Sequence, residues 1–132
     1  MKKLFLFTVL LSFAFIANGC SDDDKSKKID NSIVGTWKLI EEYGSSGGAG
    51  QWYPVENGYT YSFEENNILV SNRFSCNGTY NETTDSLTIN FDCSDSQFYL
   101  TYDVSFENNY LVLTPNPLYC DEGCAEKYQR IN

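Results

Sequence analysis

Beyond residue 33 the apolar positions recur with a period of two. Trp37, Leu39 and Tyr43, then Tyr59, Tyr61 and Phe63, then Leu87, Ile89 and Phe91, and then Phe98, Leu100, Tyr102, Val104 and Phe106 alternate with Lys, Thr, Ser, Asn or Asp. Successive side chains of an extended strand point to opposite faces, so this pattern specifies antiparallel sheet with one face buried and the other in water. Clusters of turn-forming residues separate the runs: Glu65-Asn66-Asn67, Thr83-Thr84-Asp85, Glu107-Asn108-Asn109 and Pro115-Asn116-Pro117. The pattern predicts eight strands, over residues 34–43, 58–64, 68–74, 76–82, 86–92, 97–106, 109–114 and 124–131. No stretch keeps a helical period, although 121–127 has room for one helical turn. Short strands joined by tight turns form a meander, and eight of them can close on themselves. The expected class is all-β, a small eight-stranded antiparallel up-and-down barrel.

The first thirty residues follow a different rule. Lys2 and Lys3 precede an apolar run from Leu4 to Ala17, the layout of a secretory signal and too short for a membrane span. Ala17-Asn18-Gly19-Cys20 resembles the lipobox of bacterial lipoproteins, which makes Cys20 the expected lipidation site and residues 1–19 a signal peptide that is removed. Ser21-Asp22-Asp23-Asp24 resembles the acidic signal that carries such lipoproteins to the outer face of the outer membrane; a plain solvated linker is the competing reading. Residues 20–32 hold almost nothing apolar and read as a tether, which leaves 33–132 as the barrel domain. Several acyl chains on Cys20 would hold the domain stably at the membrane.

Charge and composition narrow the function. The chain carries a formal charge of −9, and loss of residues 1–19 with their two lysines leaves it more acidic still. Nucleic acid and anionic headgroups are therefore poor partners. The absence of histidine removes histidine-based metal sites and acid–base catalysis. No glycine-rich loop precedes a helix to hold phosphate, and no carboxylate pair falls at alternate strand positions facing a cleft. The sequence reads as a monomeric binding protein without cofactor or metal, not an enzyme. Asp121, Glu122 and Glu126, beside Asp92 and Asp95, match no calcium-loop spacing and read as solvated loop acids.

Four cysteines follow Cys20: Cys76, Cys93, Cys120 and Cys124. An even number in an exported chain reads as two disulfides, with a zinc site as the rival. If the strands flanking Thr84-Asp85 pair so that Tyr80 faces Ile89, then Gly78 faces Phe91 and Cys76 faces Cys93 within disulfide reach. The preferred pairing is Cys76–Cys93 with Cys120–Cys124, all four at one mouth of the barrel.

Gly35-Thr36-Trp37 resembles the G-x-W opening of lipocalins, and Tyr128-Gln129-Arg130 supplies the last-strand arginine that lipocalin-type barrels stack across that tryptophan. Together with the lipobox, the aspartate run, Leu111-Val112-Leu113-Thr114 and Cys120-Asp121-Glu122-Gly123-Cys124, these residues resemble the Bacteroidetes lipocalin-like lipoproteins over nearly the whole mature chain. The resemblance implies a lipocalin-like barrel closed by Gly35, Trp37 and Arg130.

The expected ligand site lies at the mouth that holds the cysteines. Gly44 to Pro54 is a glycine- and serine-rich loop carrying Trp52 and Tyr53, able to fold over the opening as a lid or to plug it. Tyr59, Tyr61, Phe63, Tyr102 and Phe106 either line a cavity or fill it as core. Two functions follow: capture of a small apolar or aromatic ligand, or a solid-cored surface module that binds a partner protein or a glycan-handling complex. Asp85-Ser86-Leu87 resembles a Bacteroidetes O-glycosylation motif, with Ser86 as acceptor, and also reads as an ordinary turn.

Overall fold

The computed structural model describes residues 31–132. The expected signal peptide, the expected lipidation site Cys20 and the expected tether up to residue 30 lie outside the described residues. The described residues form nine strands, β1 (Gly35–Gly44), β2 (Gln51–Pro54), β3 (Thr60–Phe63), β4 (Ile68–Ser71), β5 (Gly78–Glu82), β6 (Ser86–Asp92), β7 (Gln97–Glu107), β8 (Tyr110–Pro115) and β9 (Ala125–Arg130), all paired antiparallel in the order β2-β1-β3 and then in sequence to β9. β9 returns to pair with β1, which closes an eight-stranded barrel and leaves β2 as an additional strand. Ten residues long, β1 serves both neighbours on its other side: Gly35 to Lys38 pair with β3, and Glu41 to Gly44 pair with β2.

The period-two pattern becomes the inside and outside of this barrel. Leu39, Tyr61, Phe63, Leu69, Leu87, Ile89, Phe91, Tyr102, Leu111, Leu113 and Tyr128 are all at most 2% exposed and pack across the interior. A register shift between Leu39 and Glu41 bulges β1, so that Glu42 stands opposite Glu126 on the face that Tyr128 shares. The turns obey their sequences. Asn108 and Asn109, both at positive φ, make the two-residue loop between β7 and β8, while Asn67 at φ 63° closes the four-residue connection between β3 and β4. Among the described residues the core runs from Ile33 to Tyr128 and the ring of strands is complete within 35–130, so residues 31–132 carry a closed barrel with its own core and should fold alone.

One end of the barrel is closed by its own chain ends. Arg130 lies over the Trp37 ring at 4.3 Å, donates to the Val34 carbonyl at 2.8 Å and reaches the Ser32 carbonyl, while the Trp37 indole donates to Ile33 at 2.7 Å. Gly35 sits at φ 131°, and a Cβ there would stand 2.7 Å from the Arg130 guanidinium. Both constraints call for glycine. The opposite end is the mouth, where Cys76–Cys93 and Cys120–Cys124 are bonded.

Three expectations change. The eight strands are joined by a ninth, β2, because Gln51 to Pro54 turns back along the outer half of β1 instead of lying over the opening. No helical turn forms between 121 and 127; Ala125 onward is already strand, drawn into the ladders of β8 and β1. β5 starts at Gly78 rather than near 76, since residues 72–77 carry the chain round the mouth to the Cys76–Cys93 bridge.

Candidate functional site

The mouth gathers side chains from four parts of the chain. Arg73, in the turn after β4, places its guanidinium 5.0 Å from the Tyr59 ring, 5.3 Å from Phe74 and 5.2 Å from Phe98. Phe74 stacks on Phe91 at 4.0 Å, which ties this rim to the core. The Cys76–Cys93 bridge links the turn that carries Arg73 and Phe74 to the end of β6. Its register is the one the sequence predicts: Tyr80 pairs with Ile89, and a Cβ on Gly78 would strike Phe91 at 2.7 Å.

Beneath Arg73 stands a polar cluster. Glu126 on β9 follows the parity of Tyr128 and Arg130, so its partly buried carboxylate points into the barrel. Tyr59 donates to Oε1 at 3.2 Å, Tyr128 donates to Oε2 at 2.7 Å, and the two phenols are 2.9 Å apart. Arg73 Nη1 donates to the Tyr59 hydroxyl at 3.3 Å. Burial raises the Glu126 carboxyl above its ordinary range, against the lowering pull of its tyrosine donors and of Arg73. Burial, reinforced by the Glu126 charge, also raises the phenols of Tyr59, Tyr102 and Tyr128 and pushes Tyr61 up to about 12.

Tyr61 is the anomaly. It is fully buried among the rings of Tyr59, Phe63, Phe91 and Tyr128, and among the described residues its hydroxyl closes no well-formed hydrogen bond, although Tyr59 and Arg73 stand close enough to pull the phenol down against its burial. Such a group costs about 1–3 kcal/mol, and satisfied tyrosines surround it.

The expected site residues separate into three places. Tyr59, Tyr61 and Tyr102 belong to the mouth cluster. Phe63 lies deeper, edge-on to Tyr80 at 5.0 Å, and Phe106 packs by Trp37 at the closed end, 6.0 Å away. Trp52 and Tyr53 sit on β2. Trp52 pairs with Tyr43 on the outer wall, 5.4 Å ring to ring, with the Lys127 ammonium 4.0 Å above it. Lys127 in turn pairs with Glu41 at 2.6 Å. Tyr43 and Trp52 edge a shallow groove of about 320 Å³ that also includes Val112, Leu118 and Ala125. Ser86 begins β6 at the hairpin, its hydroxyl 2.8 Å from that of Thr83.

Glu126 and Arg73 were not singled out by the sequence as parts of this site. The signal for Glu126 was its spacing: positions 126, 128 and 130 share one strand face, and Arg130 was expected across Trp37. Arg73 had a weaker signal, a cation immediately before Phe74 in a chain otherwise rich in acids. Comparison with known protein families, with curated proteins and with solved structures gives no match.

Proposed function

We propose that this protein is a lipid-anchored member of the bacterial cell envelope, of the Bacteroidetes lipocalin-like kind, that captures a small aromatic or apolar ligand at the braced mouth of its barrel. The role is binding, for storage or delivery, without catalysis. One observation carries the reading: three aromatic rims, Tyr59, Phe74 and Phe98, converge on the Arg73 guanidinium, which is bonded through the Tyr59 hydroxyl to the inward-facing Glu126 carboxylate. Ligand sites combine apolar walls with a few convergent polar groups, and this end of the barrel has both. The inward side chains below the rim form one core cluster, so the body of the ligand is held at the rim.

The wall groove beside Trp52 favours a second reading, a surface that binds a partner protein, with Leu118 as its exposed apolar contact. A neutral fluorescent apolar probe separates the two when titrated into residues 31–132. Binding that is lost in Phe98→Ala and kept in Trp52→Ala supports the mouth; no binding by the folded barrel overturns capture. The address has its own test. Metabolic labelling with a fatty acid should mark the full chain and not Cys20→Ala, and protease applied to whole cells should remove the domain.

A further inference from the structure

The three rings at the mouth already hold a positive charge, and it belongs to the protein. We infer that the mouth is a cage for a small organic cation, a protonated amine on an apolar or aromatic body, in which Arg73 stands as a tethered and displaceable substitute. The inference rests on the mouth being the ligand site and names the chemistry it takes.

Aromatic faces are electron-rich, and three of them directed at one guanidinium form an arrangement selective for cations. Arg73 is loosely held there. It is exposed, and what holds its side chain besides the three rings is a 3.3 Å hydrogen bond to Tyr59 and the weaker pull of Tyr61 and Glu126. Among the described residues no carboxylate stands within ion-pairing distance of it. Removing it from the cage breaks no strand ladder and opens no core.

The floor of the cage calls for donors. A carboxylate offers about four acceptor positions, and the side chains shown around Glu126 fill one on each oxygen. Tyr61 adds a buried hydroxyl that closes no well-formed hydrogen bond, with Tyr59 and Arg73 beside it. An ammonium group brings three donors and a positive charge, which match the free positions on Glu126 and the lone pairs of Tyr61. A neutral ring would leave those acceptors unmet. A carboxylate ligand would face Glu126 and a chain of net charge −9.

Proton linkage gives the inference a signature. The charges facing Glu126 are Arg73 and, from β1, Glu42. Its phenolic neighbours are Tyr59, Tyr61, Tyr102, Tyr119 and Tyr128, all raised and therefore neutral in the physiological range. Burial favours the protonated carboxyl, whereas an adjacent ammonium favours the carboxylate. Cation binding therefore expels a proton from Glu126 and tightens as pH rises through its titration.

The test titrates residues 31–132 with benzylammonium, benzyl alcohol and benzoate by calorimetry, with circular dichroism to certify each variant as folded. Benzylammonium should bind best, more tightly at higher pH. Glu126→Gln should weaken it about tenfold or more, and Arg73→Ala, which empties the cage without touching the core, should tighten it about three- to tenfold. Preference for benzoate with loss in Arg73→Ala, or equal affinity for benzyl alcohol, overturns the cation and leaves the mouth as the ligand site. Failure of the folded barrel to bind any of the three overturns both. Should Glu126→Gln not fold, the Arg73→Ala result and the pH dependence of the unmodified protein decide alone.

Discussion

The guanidinium of Arg130 rests 4.3 Å from the centre of the Trp37 ring, so the last residue of the final strand clasps the first tryptophan of the initial one. The same side chain bonds the carbonyls of Ser32 and Val34 and so fixes the chain that leads into the barrel. Arg130→Ala should destabilise the barrel by about 2–4 kcal/mol, from the lost cation–π contact and charged hydrogen bonds. Arg130→Lys should restore less than half, because an ammonium lacks the planar fork. Urea unfolding of both variants measures this, and a cost under about 1 kcal/mol for alanine would show that the ladder alone closes the barrel.

Cys76–Cys93 bridges a sequence separation of 17 and Cys120–Cys124 one of 4. Loop entropy assigns the first about 3 kcal/mol and the second about 1 kcal/mol less. Cys76→Ala/Cys93→Ala should therefore lower the urea midpoint more than Cys120→Ala/Cys124→Ala. The first pair should also loosen the turn that carries Arg73, visible as faster amide exchange from Asn72 to Asn77. The reverse ranking would place the weight of the mouth on the β8–β9 turn instead.

Glu126 holds its proton more tightly folded than unfolded, because burial disfavours the carboxylate. The stability it contributes is complete below the unfolded value and falls as pH rises from there through the folded value. Glu126→Gln should flatten this slope and raise stability at neutral pH, measured by urea unfolding across pH. An unchanged slope would mean that the carboxylate is solvated as a loop acid after all.

The raised phenols set an alkaline limit. Unfolded tyrosines ionise near 10, whereas Tyr61 is pushed up to about 12 and Tyr59, Tyr102 and Tyr128 are raised as well, by burial first. The folded state keeps these phenols neutral, so stability is full below the unfolded value and lost as pH rises past it. Tyrosinate absorbance should climb in two stages, the second coincident with loss of the circular dichroism signal. A single smooth titration in a barrel that stays folded would contradict their burial.

Trp52 lies on the outer wall with Tyr43 and Lys127, while Trp37 is 1% exposed. Trp52→Ala should cost about 1 kcal/mol and leave ligand affinity at the mouth unchanged. Trp37→Ala should cost about 3–5 kcal/mol. Iodide quenching should reach the emission of Trp52 and spare that of Trp37. A large effect of Trp52→Ala on binding would return this residue to the mouth.

Much of the barrel was legible because a closed sheet obeys simple parity. Alternation set the inward residues, asparagine pairs marked the turns, and one assumed register placed Cys76 opposite Cys93 as found. β2 escaped because four residues, Gln51 to Pro54, follow a glycine- and serine-rich stretch whose composition describes a loop. Its strand character comes from the unpaired outer half of β1, a tertiary cause with no local mark. Glu126 escaped because its neighbours Asp121 and Glu122 suggested a solvated acidic turn, although parity with Tyr128 pointed inward. Arg73 belongs to a turn, where no periodicity says which way a side chain faces.

The lead-in at Ile33, held beneath Arg130, and the ring of aromatics around Arg73 occupy opposite ends of the barrel. Whatever the chain is joined to ahead of residue 31 meets it at the base, as a goblet is held by its stem. If Cys20 fastens the chain to a bilayer, as proposed, the attachment enters at the end away from the rim, and the cup need not tip over to be filled.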